Sequence, residues 1–339
     1  MLRIEYLTIG AATDNLETTR TGLLGMVGFP SLPAGLAADL PCASIAAASL
    51  APGAPAPALC EAWISQAPVR RGADGAIRYA VSGDFLFGVT AFPEGAGAIR
   101  DCTERAYRDI FAMLARHGFP HAVRFWNYFP RINEDEGGIE RYRHFNIGRG
   151  AAFEATARCR AESIPAACAL GTDPGNALTV YFLAAREPGR PVENPRQVSA
   201  YRYPPEHGPR SPTFSRALLF PAEGARMLFV SGTASIVGHL SMHAGDVAAQ
   251  TRETVANLEA VFAEAGRLSR PGAFTMREAS YKAYVRRAAD LDAVRRELAA
   301  LLGGEADVHF LRADICRSEL LVEVEAIAYA GGPPGRPGP

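Results

Sequence analysis

The sequence of 339 residues contains only one lysine, Lys282, so arginine supplies almost all of its positive charge. Lysine and arginine together number 35 against 36 aspartates and glutamates, which gives a formal net charge of -1 at pH 7. These basic residues are scattered, whereas a nucleic-acid backbone is neutralised by a basic patch or stripe. The charge pattern therefore argues against a nucleic-acid partner and favours a small-molecule ligand.

Other features that the sequence lacks narrow the class of protein further. The six cysteines include no CxxC pair, and no apolar run approaches the ~20 residues of a membrane-spanning helix. The N-terminus, MLRIEYLTIG, does not have the charged and then apolar segments of a secretory signal. We therefore expect a cytoplasmic protein with reduced cysteines and no membrane contact.

Two further patterns argue against a metal or a nucleotide cofactor. His239 and His243 have the i,i+4 spacing of a zinc site, but HExxH is absent and no third ligand is evident. The glycine-rich segment SGTASIVG (231–238) lacks the strand, GxGxxG and helix of a dinucleotide site. We expect no metal and no cofactor, and we expect glycine in this segment to let the backbone approach a ligand closely.

The segment RFWNYFPRINEDEGGIERYRHFNIGR (124–149) concentrates five arginines and six aromatic rings. A guanidinium group binds a carboxylate through two hydrogen bonds and also stacks on aromatic rings. Arginines interleaved with rings therefore suit a small planar anion, such as a carboxylated ring. A general preference of this sequence for arginine over lysine is the alternative explanation, and composition alone leaves both open.

Hydrophobic periodicity indicates one α+β unit that occurs twice. Each copy reads as two strands, a helix, a strand, a second helix and a final pair of strands. In the first copy the helices are expected at 99–116 and 139–156, and the final strands, joined by GTDPGN, are predicted to form a hairpin. In the second copy the helices are expected at 246–265 and 291–302, followed by VHFLRADIC and LLVEVEAIA as the equivalent hairpin.

The repeat predicts the organisation of the whole chain. The N-terminal unit covers 1–186, including an extension to about residue 75 that is expected to add a strand, a loop and a short helix. The proline-rich segment 187–213 is expected to form an ordered loop that crosses the cleft between the copies. The C-terminal unit covers 214–330, and the tail GGPPGRPGP (331–339) is expected to be disordered.

The second copy resembles the Rid (YjgF) family through GDVAAQTRETVANLEAVFAEAG and the terminal VEVEAIA. This resemblance implies an α+β fold of two tandem Rid/YjgF-like (chorismate-mutase-like) units, with helices packed on mixed sheets. In that family the first carboxylate of the VEVEA motif lies in the ligand cleft, and here that residue is Glu323. Rid imine deaminases also place an arginine ahead of this motif, and that arginine has no clear counterpart here.

Over its whole length the sequence more closely resembles the chorismatases, enzymes that release pyruvate from chorismate. The motifs that carry this resemblance stand in collinear order: VRFWNYFPRIN, ERYRHFNIGR, NPRQVSAYRYP, GPRSPTFSRA, SGTASIVGH and ICRSELLVEVEA. The resemblance implies a cofactor-independent enzyme whose partner is chorismate. This substrate is a dianion with a ring carboxylate, a ring hydroxyl and an enolpyruvyl ether that bears the second carboxylate.

Cleavage of the enol ether begins most easily by protonation of its methylene carbon, which requires a general acid. Glu323 is the candidate, because strand alternation places it opposite to Val322 and Val324 and on the same face as Glu325. Burial must raise its pKa for it to be protonated near neutral pH, and arginines must stay out of direct contact with it. The equivalent strand of the first copy has no carboxylate, which predicts one site per chain.

Cys316 precedes Glu323 by seven residues and is expected on the partner strand of the final hairpin, facing the same cleft. A cysteine in this motif resembles the chorismatases that form 3-hydroxybenzoate, whereas alanine accompanies hydrolysis to trans-3,4-dihydroxycyclohexa-1,5-diene carboxylate. The resemblance favours 3-hydroxybenzoate and leaves the share of 4-hydroxybenzoate open. A small core cysteine is the structural alternative. The diene-acid hydrolase, a Rid-type imine deaminase and an aromatic-acid binding module are the alternative functions.

The two carboxylates of chorismate require at least two cationic groups. Candidates from the arginine-rich motifs are, in order of preference, Arg143, Arg196, Tyr201 and Arg216, then Arg124 and Arg149. Each arginine can equally be structural, stacked or ion-paired within its own unit. Because the duplicated unit can satisfy internally the contacts that Rid proteins make by trimerising, we expect a monomer, with a trimer as the alternative.

Overall fold

The computed structural model describes residues 2–12, 22–174, 177–221, 223–224, 226–270 and 273–331. Apart from its first residue, the tail that we predict to be disordered (331–339) lies outside the described residues. Within the described ranges, no helix combines the length and the apolar character that crossing a membrane requires.

The N-terminal extension forms a four-stranded sheet of its own, in the order β1-β6-β2-β3, and a separate ribbon of β4 and β5. The sequence predicted one strand, a loop and a short helix here. The described residues include a strand and a helical segment at 9–12, but also five further strands that were missed. Strands β2 and β6 are buried on both faces, so they lack the alternation that indicates a strand in sequence. The strands of the extension are β1 (Leu2–Thr8), β2 (Leu23–Phe29), β3 (Cys42–Ser44), β4 (Leu50–Ala51), β5 (Ala54–Pro55) and β6 (Leu59–Ser65).

The first repeated unit packs two helices on a mixed sheet of six strands, in the order β11-β10-β12-β9-β8-β7. Helix α1 buries an apolar face that recurs every three or four residues and ends at Gly118, whose positive φ of 74° suits glycine. The elements are β7 (Arg70–Asp74), β8 (Ile77–Ser82), β9 (Phe85–Phe92), α1 (Ile99–His117), β10 (His121–Pro130), α2 (Arg141–Ala155), β11 (Ala166–Thr172) and β12 (Leu178–Ala185).

The second unit repeats this topology in a six-stranded sheet of order β13-β14-β15-β20-β18-β19. Its long helix α3 begins at Val247 and is capped by Asp246, whose side chain accepts a hydrogen bond from the Ala249 backbone N–H. The elements are β13 (Arg190–Val192), β14 (Ala217–Phe220), β15 (Met227–Ala234), β16 (Ile236–Val237), β17 (Leu240–Ser241), α3 (Val247–Leu268), β18 (Ser280–Val285), α4 (Leu291–Leu302), β19 (Asp307–Arg312) and β20 (Val322–Tyr329). The two sheets have the same strand order, which confirms the α+β class and the tandem duplication.

The predicted hairpins at the end of each unit were wrong. Strands β11 and β12 do not pair with each other, because both pair with β10, β11 in parallel and β12 antiparallel. In the second unit β19 and β20 flank β18 in the same way. The turn signal GTDPGN indicated that the chain reverses, but turn chemistry does not say which strand lies beside the next one.

The inner faces of the three main sheets share one hydrophobic core, and the helices cover the outer faces of the repeated units. In β20, Val322 and Val324 pack in the core beneath α3 and α4. Glu323 and Glu325 alternate with these valines, and Ile327, on the same face, lies in the core shared by the sheets. The strand therefore directs both carboxyl groups into the interior between the units.

A chain of four buried, alternating charges connects the three main sheets. Lys282 Nζ on β18 lies 2.5 Å from Glu61 Oε2 on β6 and 2.8 Å from Glu325 Oε1 on β20. Arg124 Nη2 on β10 lies 2.5 Å from Glu325 Oε2. All four side chains are almost completely buried. We call this set, Glu61, Lys282, Glu325 and Arg124, the buried charge chain.

Replacing Lys282 with methionine keeps most of the side-chain volume but removes the ammonium group. Glu61 and Glu325 then lose a buried partner, and breaking a buried pair in this way costs about 3–5 kcal/mol. We expect Lys282→Met to lower the free energy of unfolding by that amount in urea titrations followed by circular dichroism. Arg252→Met, which removes an exposed ion pair with Glu297, is the control and should cost about 0–1 kcal/mol. Equal effects of the two variants would contradict a structural role for the buried charge chain.

Candidate active site

A cavity of about 190 Å³ opens between the two repeated units, with Glu323 in its wall. The start of α2 supplies one side, the segment before β14 covers it, and β15 with the loop before β20 supplies the other side. Both units therefore contribute to one site. The lining residues are Glu140, Tyr142, Arg143, Tyr203, His207, Pro212, Phe214, Arg216, Gly232, Ala234, Ile236, Cys316, Arg317, Ser318, Glu319 and Glu323.

A smaller niche of about 30 Å³ shares several walls with this cavity. Arg149 and Asn146 of α2 line the niche, together with Cys168 of β11. Glu323 and Cys316 line both spaces, so they stand where the cavity and the niche adjoin. A ligand that filled both spaces would contact Glu323 and Cys316, the two predicted catalytic residues, where it passes from the cavity into the niche.

Glu323 is buried, with 3% of its surface exposed, so it does not lie on a solvent-exposed face of the strand. Burial raises its pKa to about 8, and the negative charge of Glu325 contributes to the increase, while Arg124 and Arg286 oppose it. Among the described residues, no arginine or lysine forms an ion pair with Glu323. The carboxyl group therefore carries a proton at neutral pH, as a general acid must.

Gly232 makes room for the Glu323 carboxyl group. A Cβ atom at position 232 would overlap with Oε1 of Glu323 and would also lie 3.1 Å from Cβ of Cys168. Gly232 falls in an irregular part of β15, where the pairing with β20 shifts between Val230 and Thr233. The glycine in SGTASIVG thus allows the acid to lie directly against the backbone.

Cys316 lies in the loop between β19 and β20, and the expectation that it stands on a paired strand was wrong. The loop is nevertheless fixed, because Arg286 Nη2 donates hydrogen bonds to the carbonyl oxygens of Ile315 (3.0 Å) and Arg317 (2.9 Å). The Leu321 backbone N–H also donates to Gln250 Oε1 at 2.7 Å. Burial raises the pKa of the Cys316 thiol to about 12, and Glu323 adds to this effect. The thiol is therefore protonated and is not a thiolate nucleophile.

Three of the predicted arginines lie at the site. Arg143 and Arg216 line the cavity, and Arg149 lines the niche. Arg149 Nε and Nη2 and Arg216 Nε are buried without a hydrogen-bond partner among the described residues. Leaving buried guanidinium N–H groups without an acceptor costs folding free energy. An anionic ligand in the adjoining space would accept hydrogen bonds from them.

The other predicted binding residues lie elsewhere. Arg196 donates to Glu253 Oε1 at 2.5 Å and to Asn257 Oδ1 at 2.7 Å. Its guanidinium therefore attaches the proline-rich segment 187–213, which we call the connecting segment, to α3. Tyr201 is not among the lining residues, whereas Tyr203 is. Arg124 lies behind the acid in the buried charge chain.

Several lining residues were missed from the sequence. Tyr142 and Arg317 stand next to predicted residues within the motifs ERYRHFNIGR and ICRSELLVEVEA, so the motifs themselves carried the signal. Phe214 precedes Arg216 in the same way. Lys282 does not line the cavity, but its role in the buried charge chain was also missed, and the available signal was that it is the only lysine in the chain.

The duplicated α+β fold and the buried acid in the wall of a cavity are the features of an enzyme that acts on a small molecule. Residues 61–184 match the family model described as chorismatase FkbO/Hyg5-like, N-terminal. The chain belongs to the chorismatase family, because relatives that are 38% and 40% identical match 79% of it.

Individual relatives extend this match over most of the chain. A 3-hydroxybenzoate synthase of Streptomyces hygroscopicus is 38% identical over 79% of this chain and 80% of its own length. A chorismatase of Streptomyces rapamycinicus is 40% identical over 79% of this chain and 81% of its own. A chorismatase crystal structure covers 97% of this chain and 98% of its own, with a TM-score of 0.86 and 34% sequence identity.

Glu323→Gln should make the protein more stable at alkaline pH. The unfolded chain loses the Glu323 proton near pH 4.5, but the folded chain holds it to about pH 8, so this group destabilises the fold increasingly as the pH rises between these values. Between these pKa values each pH unit lowers the free energy of unfolding of the wild type by about 1.4 kcal/mol. The variant should therefore exceed the wild type in free energy of unfolding by on the order of 4 kcal/mol at pH 8 and by little near pH 5. Urea unfolding at both pH values measures this difference.

The exposed Glu259 on α3 provides the control, because Glu259→Gln should show no such dependence. If the stability difference between Glu323→Gln and the wild type were the same at pH 5 and pH 8, Glu323 would not be protonated in the folded state.

Proposed function

We propose that this protein is a cofactor-independent chorismatase that converts chorismate to pyruvate and 3-hydroxybenzoate. The observation that carries the proposal is the burial of Glu323 in the wall of a cavity shared by the two units. This burial raises the pKa of its carboxyl group to about 8. Such a group supplies the proton that opens an enol ether. The relative named 3-hydroxybenzoate synthase supports the choice of product.

The arginines suit a substrate with two carboxylates. Arg149 in the niche and Arg216 in the cavity each hold buried, unpaired N–H donors, so each can receive one carboxylate. Arg143 is partly exposed and pairs only loosely with Glu140, at 3.7 Å. We assign it to guiding the dianion into the cavity. The Tyr142 and Phe214 rings supply apolar walls for the ring of the substrate.

The first chemical step is proton transfer from Glu323 to the methylene carbon of the enolpyruvyl group. The neighbouring ether carbon becomes an oxocarbenium ion, and the carboxylate left on Glu323 stabilises this positive charge. The ring hydroxyl of the substrate then adds to the oxocarbenium carbon and gives up its proton, which forms a cyclic ketal. The bond between the ring and the former hydroxyl oxygen breaks, and the ring carbon that bears the ether oxygen loses its proton, so the ring becomes aromatic. The former hydroxyl oxygen leaves as the ketone oxygen of pyruvate, and the ether oxygen stays on the ring as the 3-hydroxyl group. Of the two protons released, one returns to Glu323 and the other protonates the phenolate. Pyruvate and 3-hydroxybenzoate together have the composition of chorismate, so the reaction consumes no water.

The alternative route to the dihydroxy-diene acid consumes one molecule of water at the oxocarbenium carbon. Cys316 stands next to Glu323 at the junction of the cavity and the niche. Because its thiol is protonated, we assign it a steric role: it occupies the space that an attacking water molecule needs. The side chain thereby favours attack by the hydroxyl of the substrate itself.

The organisation of the site supports further assignments. The residues that line the cavity come from both units of one chain, and we propose a monomer as the active form, with a trimer as the alternative. Tyr203, His207 and Pro212 belong to the proline-rich segment 187–213. Strand β13 (Arg190–Val192) of this segment lies at the edge of the second sheet, and we propose that the rest of the segment is the connecting loop that covers the cleft between units 1–186 and 214–330. The six cysteines are free thiols, in keeping with a reducing, cytoplasmic environment.

Incubation with chorismate tests the proposal directly. We expect pyruvate, measured by coupling to lactate dehydrogenase, in equal amount to 3-hydroxybenzoate, measured by mass-coupled chromatography. Activity should fall as the pH rises through about 8, because Glu323 then loses its proton. Glu323→Gln, which keeps the shape but cannot donate the proton, should lose at least about 10²-fold in kcat.

Other product patterns would overturn parts of this proposal. Pyruvate with the diene acid would keep the family chemistry and replace the product. Chorismate binding without pyruvate would favour a binding module, and ammonia release from an imine would favour the Rid-type activity. Turnover by Glu323→Gln at the wild-type rate would remove Glu323 as the acid.

Cys316→Ala should shift the products towards the dihydroxy-diene acid. The smaller side chain admits water next to the oxocarbenium carbon, and we expect the product ratio to change by about tenfold, equivalent to roughly 1.4 kcal/mol between the two barriers. Chromatography of the products at equal conversion measures this ratio. Cys159→Ala, which removes an exposed thiol, should leave the ratio unchanged. An unaltered ratio in Cys316→Ala would show that this side chain does not select the route.

A further inference from the structure

Three potential metal-binding side chains meet at the rim of the cavity, at a place that the proposed reaction does not use. Glu206 and His207 lie on the short helical turn Pro205–His207 of the connecting segment. His239 lies in the turn between β16 and β17. Among the described residues, these three form the group of histidines, cysteines and carboxylates whose ligand atoms all lie within 4.8 Å of one another.

The three ligand atoms form a triangle of the right size for a metal ion. His207 Nε2 lies 3.0 Å from His239 Nδ1, and Glu206 Oε1 lies 3.3 Å from His239 Nδ1 and 3.7 Å from His207 Nε2. Zinc bonds to imidazole nitrogen and carboxylate oxygen of about 2.05 Å, arranged tetrahedrally, separate the ligand atoms by about 3.3 Å. The observed triangle thus matches one face of a zinc coordination tetrahedron without large movements.

The chemistry of the ligands fits the same interpretation. Two imidazoles and a carboxylate are a usual ligand set for zinc, and three protein ligands leave a fourth position for water or an anion. Arg317 and Arg143 are positive and oppose a dication near His207, whereas the Glu206 carboxylate favours it.

The position of the group gives it a consequence for the cavity. His207 lines the cavity. The connecting segment already pairs with the β16–β17 turn: the Val198 backbone N–H donates to the Gly238 carbonyl oxygen, and the Gly238 N–H donates to the Arg196 carbonyl oxygen. A metal ion bound by Glu206, His207 and His239 would add a second connection between these segments. This connection would hold the cover of the cavity in place.

We propose that Glu206, His207 and His239 form a site for a divalent transition-metal ion of the zinc class at the cavity rim, and that the bound ion restricts entry to the cavity. The pair that sequence spacing singled out is different, since the His243 ring contacts Glu253 Oε2 at 3.1 Å. His243 therefore offers a matched control: it has the helix-like spacing from His239 but is not part of the triangle.

Cobalt(II) tests the binding site without reference to activity. Tetrahedral cobalt(II) absorbs visible light much more strongly than the hydrated ion, so titration of the full chain with cobalt chloride should give a saturable absorption band that zinc displaces. His239→Ala and Glu206→Gln should weaken cobalt binding by about tenfold or more. His243→Ala should bind cobalt like the wild type. Thermal unfolding without metal checks that each variant is folded, and Glu206→Gln, at an exposed residue, keeps the test valid if His239→Ala is unstable.

Three results would overturn the site. These are no tetrahedral band in the wild type, unchanged binding in both His239→Ala and Glu206→Gln, or a loss of binding in His243→Ala. The effect on the cavity rests on the proposed function and has a separate readout. Stoichiometric zinc should inhibit pyruvate release by the wild type but not by His239→Ala, and equal rates with and without zinc would refute the restriction of entry while leaving the metal site intact.

Discussion

The buried charge chain of Glu61, Lys282, Glu325 and Arg124 is the constraint on which the site depends. Burial alone would raise the pKa of Glu325, but Lys282 and Arg124 outweigh it and hold that pKa below its ordinary value. Glu325 is therefore an anion in the interior, two residues from Glu323 on the same face of β20. Its charge adds to the burial of Glu323 and helps to keep that carboxyl group protonated. The network that joins the three sheets thus also sets the proton affinity of the acid.

The same network explains why a chain rich in arginine keeps one lysine. Lys282 Nζ has three oxygen neighbours, Glu61 Oε2 at 2.5 Å, Glu325 Oε1 at 2.8 Å and the Tyr181 hydroxyl at 2.9 Å. An ammonium group has three N–H donors around one nitrogen atom, so each can point at one of these oxygens. The planar fork of arginine spreads its donors over a larger area and suits two parallel acceptors better. The three acceptors around position 282 thus suit lysine better than arginine, although arginine is preferred in the rest of the chain.

Sequence patterns predicted the helices and strands that local periodicity specifies. They missed the features that depend on residues distant in sequence, namely strand pairing and the partners of charged side chains. Helix α4 was predicted at its observed bounds, and β20 was predicted to turn Glu323 to the side opposite Val322 and Val324, as it does. The placement of β10 between β11 and β12 was missed, because pairing is decided across the sheet. Arg196 carried the same motif signal as Arg149, and only the position of Glu253 distinguishes a paired arginine from an unpaired one. A motif therefore identified the region of the site, but the partner of each charge was not encoded locally.

The register of the two sheets shows how a duplicated unit came to hold a single acid. In the second unit Glu323 pairs with Tyr284 and Glu325 with Lys282, and in the first unit Thr179 pairs with Tyr128 and Tyr181 with Trp126. The charged positions of one unit are thus neutral in the other. The neutral residues still take part, because Trp126 Nε1 donates to Glu325 Oε1 at 3.0 Å and the Tyr181 hydroxyl accepts from Lys282. The first unit thus supplies hydrogen-bond partners for the charged residues of the second. An acid at position 179, the counterpart of Glu323, would place another buried carboxyl group near a network whose four charges already balance.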